Sequence, residues 1–263
     1  MVSHASTLGS EAQISVCSTP TEQWRGWSVA MGTTAVQAHR GSPDAASGVR
    51  ENTLEAFLRA RELGADGVEM DVRMTADGGL AVHHNPEVEG VGLIRELTTA
   101  DLPAFVPLLA EILEVLDGLT INIEIKNLPN EPGFDPSDRL AAEVADLVEG
   151  SGRESEVVVS SFWPGALEAV RTASAEIATG LLFPPGFATA DAVAAATSRG
   201  CTALHLHVDQ VEELLVDQAH QAGLAVAAWT VNKADDLAAL AALGVDTVIT
   251  DEVSLALRVI RHS

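Results

Sequence analysis

Cysteine is nearly absent. Cys17 and Cys201 are the only two in 263 residues, too few for a disulfide framework and wrongly spaced for a zinc site. A reducing compartment, the cytoplasm, is therefore expected. Lysine is equally scarce, two residues against thirteen arginines, and no basic run is long enough to follow a phosphate backbone. Nucleic acid is thereby excluded as a partner. No stretch of about 18 apolar residues occurs, so no membrane-spanning helix is expected. The opening residues, MVSHASTLGSEAQ, lack the basic start and apolar centre of a signal peptide.

Acid is what the chain has in plenty. Its 38 Asp and Glu against 15 Lys and Arg give a net charge of −23, which favours solubility and singles out Lys126 as an unusual residue. A hydrophobic content of 47% is ample for a sizeable core.

From residue 35 onward, short apolar runs alternate with helix-like segments, and glycine often marks the switch into a run: GADGVEMDV, GCTALHLHV, GLAVAAWTV and GVDTVITD. Strands are predicted at 35–39, 67–72, 120–126, 156–160, 177–182, 203–207, 225–231 and 247–250. Helices are predicted at 53–63, 107–117, 138–149, 163–173, 189–198, 211–221, 233–243 and 253–261, the first with Asn52 as its N-cap and Glu55 three residues on. Eight βα units over 35–263 fit an α/β fold, a (β/α)₈ TIM barrel. Residues 1–34, with Trp24 and Trp27, read as an N-terminal extension.

The run Leu80–His84 breaks the count. The connection RMTADGG is too short for a parallel crossover, so this run must be a β-hairpin strand after the second barrel strand, turning at Asp77-Gly78-Gly79. It rises from the C-terminal ends of the strands, the catalytic face of such barrels. The long connections at 40–51, 85–106 and 127–137 lie in the first half, where function is expected.

Side chains alternate along a strand. In 67–72, Val68, Met70 and Val72 share one face and Glu69 and Asp71 the other; in TINIEIK, Ile121, Ile123 and Ile125 oppose Asn122, Glu124 and Lys126. The apolar sets must meet the helices, so three carboxylates and a lysine converge inside the barrel. Such a cluster either holds a hard divalent cation or pairs with Lys126 and Arg40 as a structural network. His39 ends the first strand at the same rim. Parity alone does not decide between His83 and His84.

The ordered motifs AHRG, ENTLEAF, GADGVEMDVRMTADGGLAVHHN, INIEIK, VVVSSF and VAAWTVN span about residues 36–251. Together they resemble the glycerophosphodiester phosphodiesterases, metal-dependent barrel enzymes of the phospholipase-C-like type. The resemblance implies His39 and His84 as general acid and base, and Glu69, Asp71 and Glu124 as ligands of one divalent ion, Ca²⁺ or Mg²⁺. It places Arg40 and Lys126 on the phosphate, Glu51 in the same pocket beside Arg40 or a ligand, and Trp229 as an aromatic wall for the alcohol. The implied reaction starts with attack by the substrate's glycerol hydroxyl, passes through a cyclic phosphate, and yields glycerol 3-phosphate and an alcohol. A small-molecule glycerophosphodiester is the implied partner; the sequence sets no oligomeric state.

The family usually has Asp after the hairpin histidine, and this chain has Asn85, which keeps an acceptor but loses a charge. The following stretch, PEVEGVGLIRELTTADL, is also shorter than is usual in the family. A related lysophospholipase-D-like or sphingolipid phosphodiesterase is one alternative, and a non-catalytic barrel that binds without turnover is another. His205 and His207 share a face and either line the barrel or meet its helices. Phe162 either walls the pocket or packs, and His4, His220 and His262 are expected at the surface.

Overall fold

The structure is a computed structural model that describes residues 33–261. The expected extension, apart from Thr33 and Thr34, lies outside the described residues, as do Cys17, His4 and His262. Eight strands run parallel: β1 (Ala35–Ala38), β2 (Gly67–Met74), β6 (Thr120–Ile125), β7 (Val157–Ser161), β8 (Ala178–Phe183), β9 (Ala203–His207), β10 (Ala225–Trp229) and β11 (Thr247–Thr250). They hydrogen-bond in sequence order, and β1 pairs with both β2 and β11, which closes the barrel.

Helices surround it: α1 (Leu54–Leu63), α2 (Leu109–Val115), α3 (Arg139–Ser151), α4 (Pro164–Ala173), α5 (Ala192–Ser198), α6 (Glu213–Gln221), α7 (Ala234–Ala242) and α8 (Val253–Arg261). No helix among the described residues is long and apolar enough to cross a membrane.

Three short strands stand outside the barrel. β3 (Leu80–Val82) returns antiparallel on β2, with Val72 opposite Val82 and Met74 opposite Leu80, so the expected hairpin is present. Its turn is tied by Thr75, whose backbone N–H donates to the Gly79 carbonyl at 2.9 Å and whose hydroxyl accepts from the Gly79 N–H at 2.7 Å. β4 (Glu87–Val88) and β5 (Gly92–Leu93) form a second small hairpin in the connection that follows.

Strand alternation divides the molecule into two cores. Val68, Met70, Val72, Ile121, Ile123 and Ile125 are fully buried and join Phe57, Leu109 and Leu167 in the shell between strands and helices. Inside the barrel, Val158, Ala178, Ala203, Ala227 and Ile249 form a separate apolar layer. Small side chains fill that floor, and above it the interior turns polar.

Two sequence expectations are corrected here. Asn52 does not cap α1: Thr53 is the N-cap, its hydroxyl accepting from the Ala56 N–H, while Asn52 is buried with φ of 55° and bonds elsewhere. β10 ends at Trp229 rather than at 231, although the Val231 N–H still reaches the Ile249 carbonyl at 2.9 Å.

The turn from β1 into α1 uses two left-handed residues in succession, Arg40 at φ 54° and Gly41 at φ 82°. At Gly41 a Cβ would lie 2.8 Å from Cβ of Ala56, so the turn needs glycine for space as well as for conformation. Gly48 has the same φ of 82° but nothing within 4 Å of a built Cβ. Gly48→Ala is expected to lower stability in urea unfolding by about 1–2 kcal/mol, the cost of the left-handed backbone alone, and Gly41→Ala by about 2–5 kcal/mol, that cost with overpacking against Ala56 added.

Candidate active site

β2 and β6 bring the acids together. Their register sets Asp71 beside Glu124 and Glu69 beside Asn122, all on the inward face. One carboxylate oxygen from each of Glu69, Asp71 and Glu124 lies within 4.8 Å of the others. Glu69 and Asp71 are almost fully buried, at 3% and 1% exposure, too deep for solvent to relieve their repulsion.

Two cations answer the three acids. Lys126 Nζ sits 3.0 Å from Asp71 Oδ1 and also contacts Glu124 Oε1. Arg40 Nε lies 3.1 Å from Asp71 Oδ2, and its Nη1 donates to Glu51 at 3.0 and 3.2 Å. Asn52, missed in the sequence, adds a reciprocal pair: its Nδ2 donates to Asp71 Oδ2 at 2.8 Å, and the Asp71 N–H donates to its Oδ1 at 3.2 Å. Burial pushes Asp71 up, but Lys126 and Arg40 outweigh it and hold the carboxyl at about 2. Glu69 has no such cation; burial first, then the Asp71 charge, lift it to about 8. Its Oε1 is buried with no hydrogen-bond partner among the described residues.

A hard divalent cation fits this arrangement. The donors are all carboxylate oxygens, one of them, Glu69 Oε1, is buried without a hydrogen-bond partner among the described residues, and three carboxyl groups face two cations. Glu69, Asp71 and Glu124 are thus a group able to hold a metal ion.

Two histidines overhang the cluster from different elements. His39 follows β1; its Nδ1 meets Asp251 Oδ1 at 2.8 Å and its Nε2 lies 3.9 Å from Glu69 Oε2. Burial lowers its pKa, but the Asp251 bond and the Glu69 charge leave it raised overall. His84 follows β3; its Nδ1 meets Asn85 Oδ1 at 2.9 Å, and burial leaves its pKa lowered, with Asp71 opposing and Lys126 assisting. His84 is also fixed through its backbone: Arg73 Nε donates to its carbonyl at 2.8 Å, while Arg73 Nη2 bonds Glu131 at 2.8 Å. His83 turns away, its Nδ1 against the Asn85 carbonyl.

A cavity of about 200 Å³ lies between these groups, lined by His39, Arg40, Glu69, His84, Glu124 and Lys126 together with Phe162, Leu182 and Trp229. Phe162 meets Trp229 edge-to-face at 5.6 Å and lines the cavity with it, whereas His207 packs edge-to-face on Trp229 at 5.3 Å from outside the lining. His205 is fully buried in the cavity floor, and its burial lowers its pKa to about 3. Glu51 does not line this cavity; it reaches the site through Arg40 and borders an adjoining cleft with His84. His220 is half-exposed and pairs with Asp246 at 2.9 Å.

Three further residues escaped the sequence reading. Parity continued from Glu69 and Asp71 reaches Arg73, and parity from Thr247 and Ile249 reaches Asp251. Asn232, which donates to Asp251 Oδ2 at 2.6 Å, closes the VAAWTVN motif but was given no role from it.

A closed (β/α)₈ barrel with carboxylates, two cations and two histidines gathered at the C-terminal ends of its strands has the make-up of an acid–base enzyme site for an anionic substrate. Comparison with known proteins narrows it. A family described as glycerophosphoryl diester phosphodiesterase matches residues 39–255. A glycerophosphodiester phosphodiesterase of Caldanaerobacter subterraneus is 29% identical over 249 residues, covering 87% of this chain and 98% of that protein. The crystal structure of the Thermotoga maritima glycerophosphodiester phosphodiesterase superposes with a TM-score of 0.69 at 29% identity, covering 86% of this chain and 97% of that one. An Oleispira antarctica phosphodiesterase solved with the product sn-glycerol-3-phosphate shares the fold, with a TM-score of 0.75, 24% identity, and coverage of 87% and 97%. The chain belongs to the glycerophosphoryl diester phosphodiesterase family.

The charge imbalance is directly testable. In metal-free protein Glu69→Gln removes a carboxyl whose folded pKa lies above its unfolded one, and such a group destabilises the fold increasingly as pH rises from the unfolded value toward the folded one. The variant is therefore expected to melt higher than the parent at neutral pH, by about 2–4 °C for each kcal/mol recovered. Adding Ca²⁺ or Mg²⁺ is expected to raise the parent's melting temperature and to leave that of the variant nearly unchanged.

Proposed function

We propose that the chain hydrolyses glycerophosphodiesters to glycerol 3-phosphate and a free alcohol. In this reading one divalent ion, Ca²⁺ or Mg²⁺, is held by Glu69, Asp71 and Glu124, and His39 and His84 move the protons. The observation that carries the reading is the convergence of both histidines, from separate elements, over a buried carboxylate group on one 200 Å³ cavity.

Arg40 and Lys126 supply the positive charge that a phosphodiester anion needs to enter a protein of net charge −23. The bound ion would neutralise charge on a phosphoryl oxygen. One histidine removes the proton from the substrate's glycerol hydroxyl as that oxygen attacks phosphorus. The bond from phosphorus to the alcohol oxygen breaks, and the other histidine protonates the leaving alkoxide. Water then opens the cyclic phosphate with the two roles exchanged. Trp229 and Phe162 line the cavity edge-to-face, and in this reading they wall the alcohol portion of the substrate. Glu51 holds Arg40 toward the site.

Assay of glycerophosphocholine and glycerophosphoglycerol with Ca²⁺, Mg²⁺ or chelator is expected to show metal-dependent release of glycerol 3-phosphate. His84→Ala is expected to lower kcat by about 10²–10⁴-fold. Full activity on a phosphodiester lacking the glycerol hydroxyl, with no cyclic phosphate trapped at early times, would refute the attack by that hydroxyl.

Asn85 adds to the causes that fix where His84 titrates, after burial and the charges of Asp71, Lys126 and Arg40. A carboxylate on Nδ1 favours the imidazolium, so Asn85→Asp raises the His84 pKa from its lowered value. The limb of the pH–kcat/KM profile belonging to His84 is expected to move to higher pH. An unmoved profile would show that this limb belongs to another group.

A further inference from the structure

Asp251 and Asn232 lie outside the groups used above, yet they are bonded to one of them. β1 and β11 are in register with Ala38 beside Thr250, and the His39 N–H donates to the Thr250 carbonyl at 2.9 Å. His39 and Asp251 therefore leave adjacent strands side by side. Asp251 Oδ1 meets His39 Nδ1 at 2.8 Å, and its Oδ2 accepts from Asn232 Nδ2 at 2.6 Å. Asn232 Oδ1 in turn accepts from the Asp251 N–H at 2.9 Å and from the Thr250 hydroxyl at 3.1 Å. With its nitrogen donating and its oxygen accepting twice, the Asn232 amide has one orientation that satisfies every partner.

The chemistry of the pair has a consequence for the ring. An ionised carboxylate only accepts, so His39 Nδ1 must carry the proton it donates. Nε2 is then left toward the cavity, on the side of Glu69. We propose that Asp251, locked by Asn232, is a positioning residue for His39, fixing the ring's rotation and its Nδ1–H tautomer so that Nε2 faces the reacting phosphodiester. The proposal rests on the reading of His39 as an acid–base group. It differs from the arrangement at His84, where an amide oxygen, Asn85 Oδ1, holds the same ring nitrogen.

Nitrogen chemical shifts of the His39 ring, recorded well above neutral pH where the ring is uncharged, read the tautomer without any turnover. The full-length parent is expected to show a protonated Nδ1 and a bare Nε2. Asp251→Ala is expected to show averaged shifts and a kcat roughly 10- to 100-fold lower, with KM within about twofold. In the doubly exchanged variant Asn232→Asp/Asp251→Asn, the amide at 251 still accepts from His39 and donates to the carboxylate at 232, whose other oxygen keeps its two donors. That variant is expected to recover the parental tautomer and most of kcat.

A parental tautomer or unchanged kcat in Asp251→Ala, or an exchanged pair as impaired as Asp251→Ala, overturns the proposal. If Asp251→Ala fails to fold by circular dichroism, Asn232→Ala and the exchanged pair make the same comparison. Absence of glycerophosphodiester turnover in the parent would remove the proposed function alone; an averaged ring in the parent would remove this proposal whatever the activity.

Discussion

Three carboxylates within 4.8 Å of one another, buried at the mouth of a barrel, are the constraint around which the rest of the structure is arranged. At an effective dielectric of about 20, each pair of like charges at that spacing repels by roughly 3 kcal/mol, and each ion pair near 3 Å recovers about 5 kcal/mol before desolvation. The cations are not shared evenly. Asp71 faces both Lys126 and Arg40, Glu124 shares Lys126, and Glu69 has only the distant edge of His39 and the backbone N–H of Arg40. The split in their titration, Asp71 held at about 2 and Glu69 lifted to about 8, follows from that geometry. An oxygen-liganded cation beside Glu69 is the simplest way to complete the balance.

Holding that group in place requires backbone that few residues adopt. Arg40 and Asn52 both have positive φ, 54° and 55°, at an order of 1–3 kcal/mol each for residues other than glycine. The strain is offset by what it positions. The Arg40 N–H donates to Glu69 at 3.0 Å and its guanidinium reaches Asp71, while the Asn52 N–H closes onto the Arg40 carbonyl at 2.9 Å and its amide grips Asp71. The β1–α1 connection is thus a scaffold for one carboxylate pair, and Gly41 supplies the close approach to α1 that this scaffold needs.

Much of this was legible in the sequence because strand alternation is a strict rule. Once VEMDV and TINIEIK were read as barrel strands, period two alone placed Glu69, Asp71 and Glu124 inside, and a short glycine turn implied the hairpin that carries His84. The failures have physical causes as well. Asn52 followed the local rule for an N-cap, but a side chain able to cap a helix is equally able to bond a buried carboxylate, and the tertiary partner won. Asp251 lies on the inward parity of its strand, but its partner His39 is 212 residues away in the chain, and no local pattern names that partner.

That long contact ties the chemistry to the closure of the fold. Asp251 reaches His39 only because β11 pairs with β1, the pairing that turns an eight-stranded sheet into a barrel. Opening that seam would separate His39 from its carboxylate while leaving the β2–β6 acids in register. The carboxylate group is thus secured by neighbouring strands early in the chain, and the orientation of His39 by the meeting of its two ends. A site divided in this way is complete only in the closed barrel, so a partly formed barrel would hold the acidic group without a correctly aimed His39.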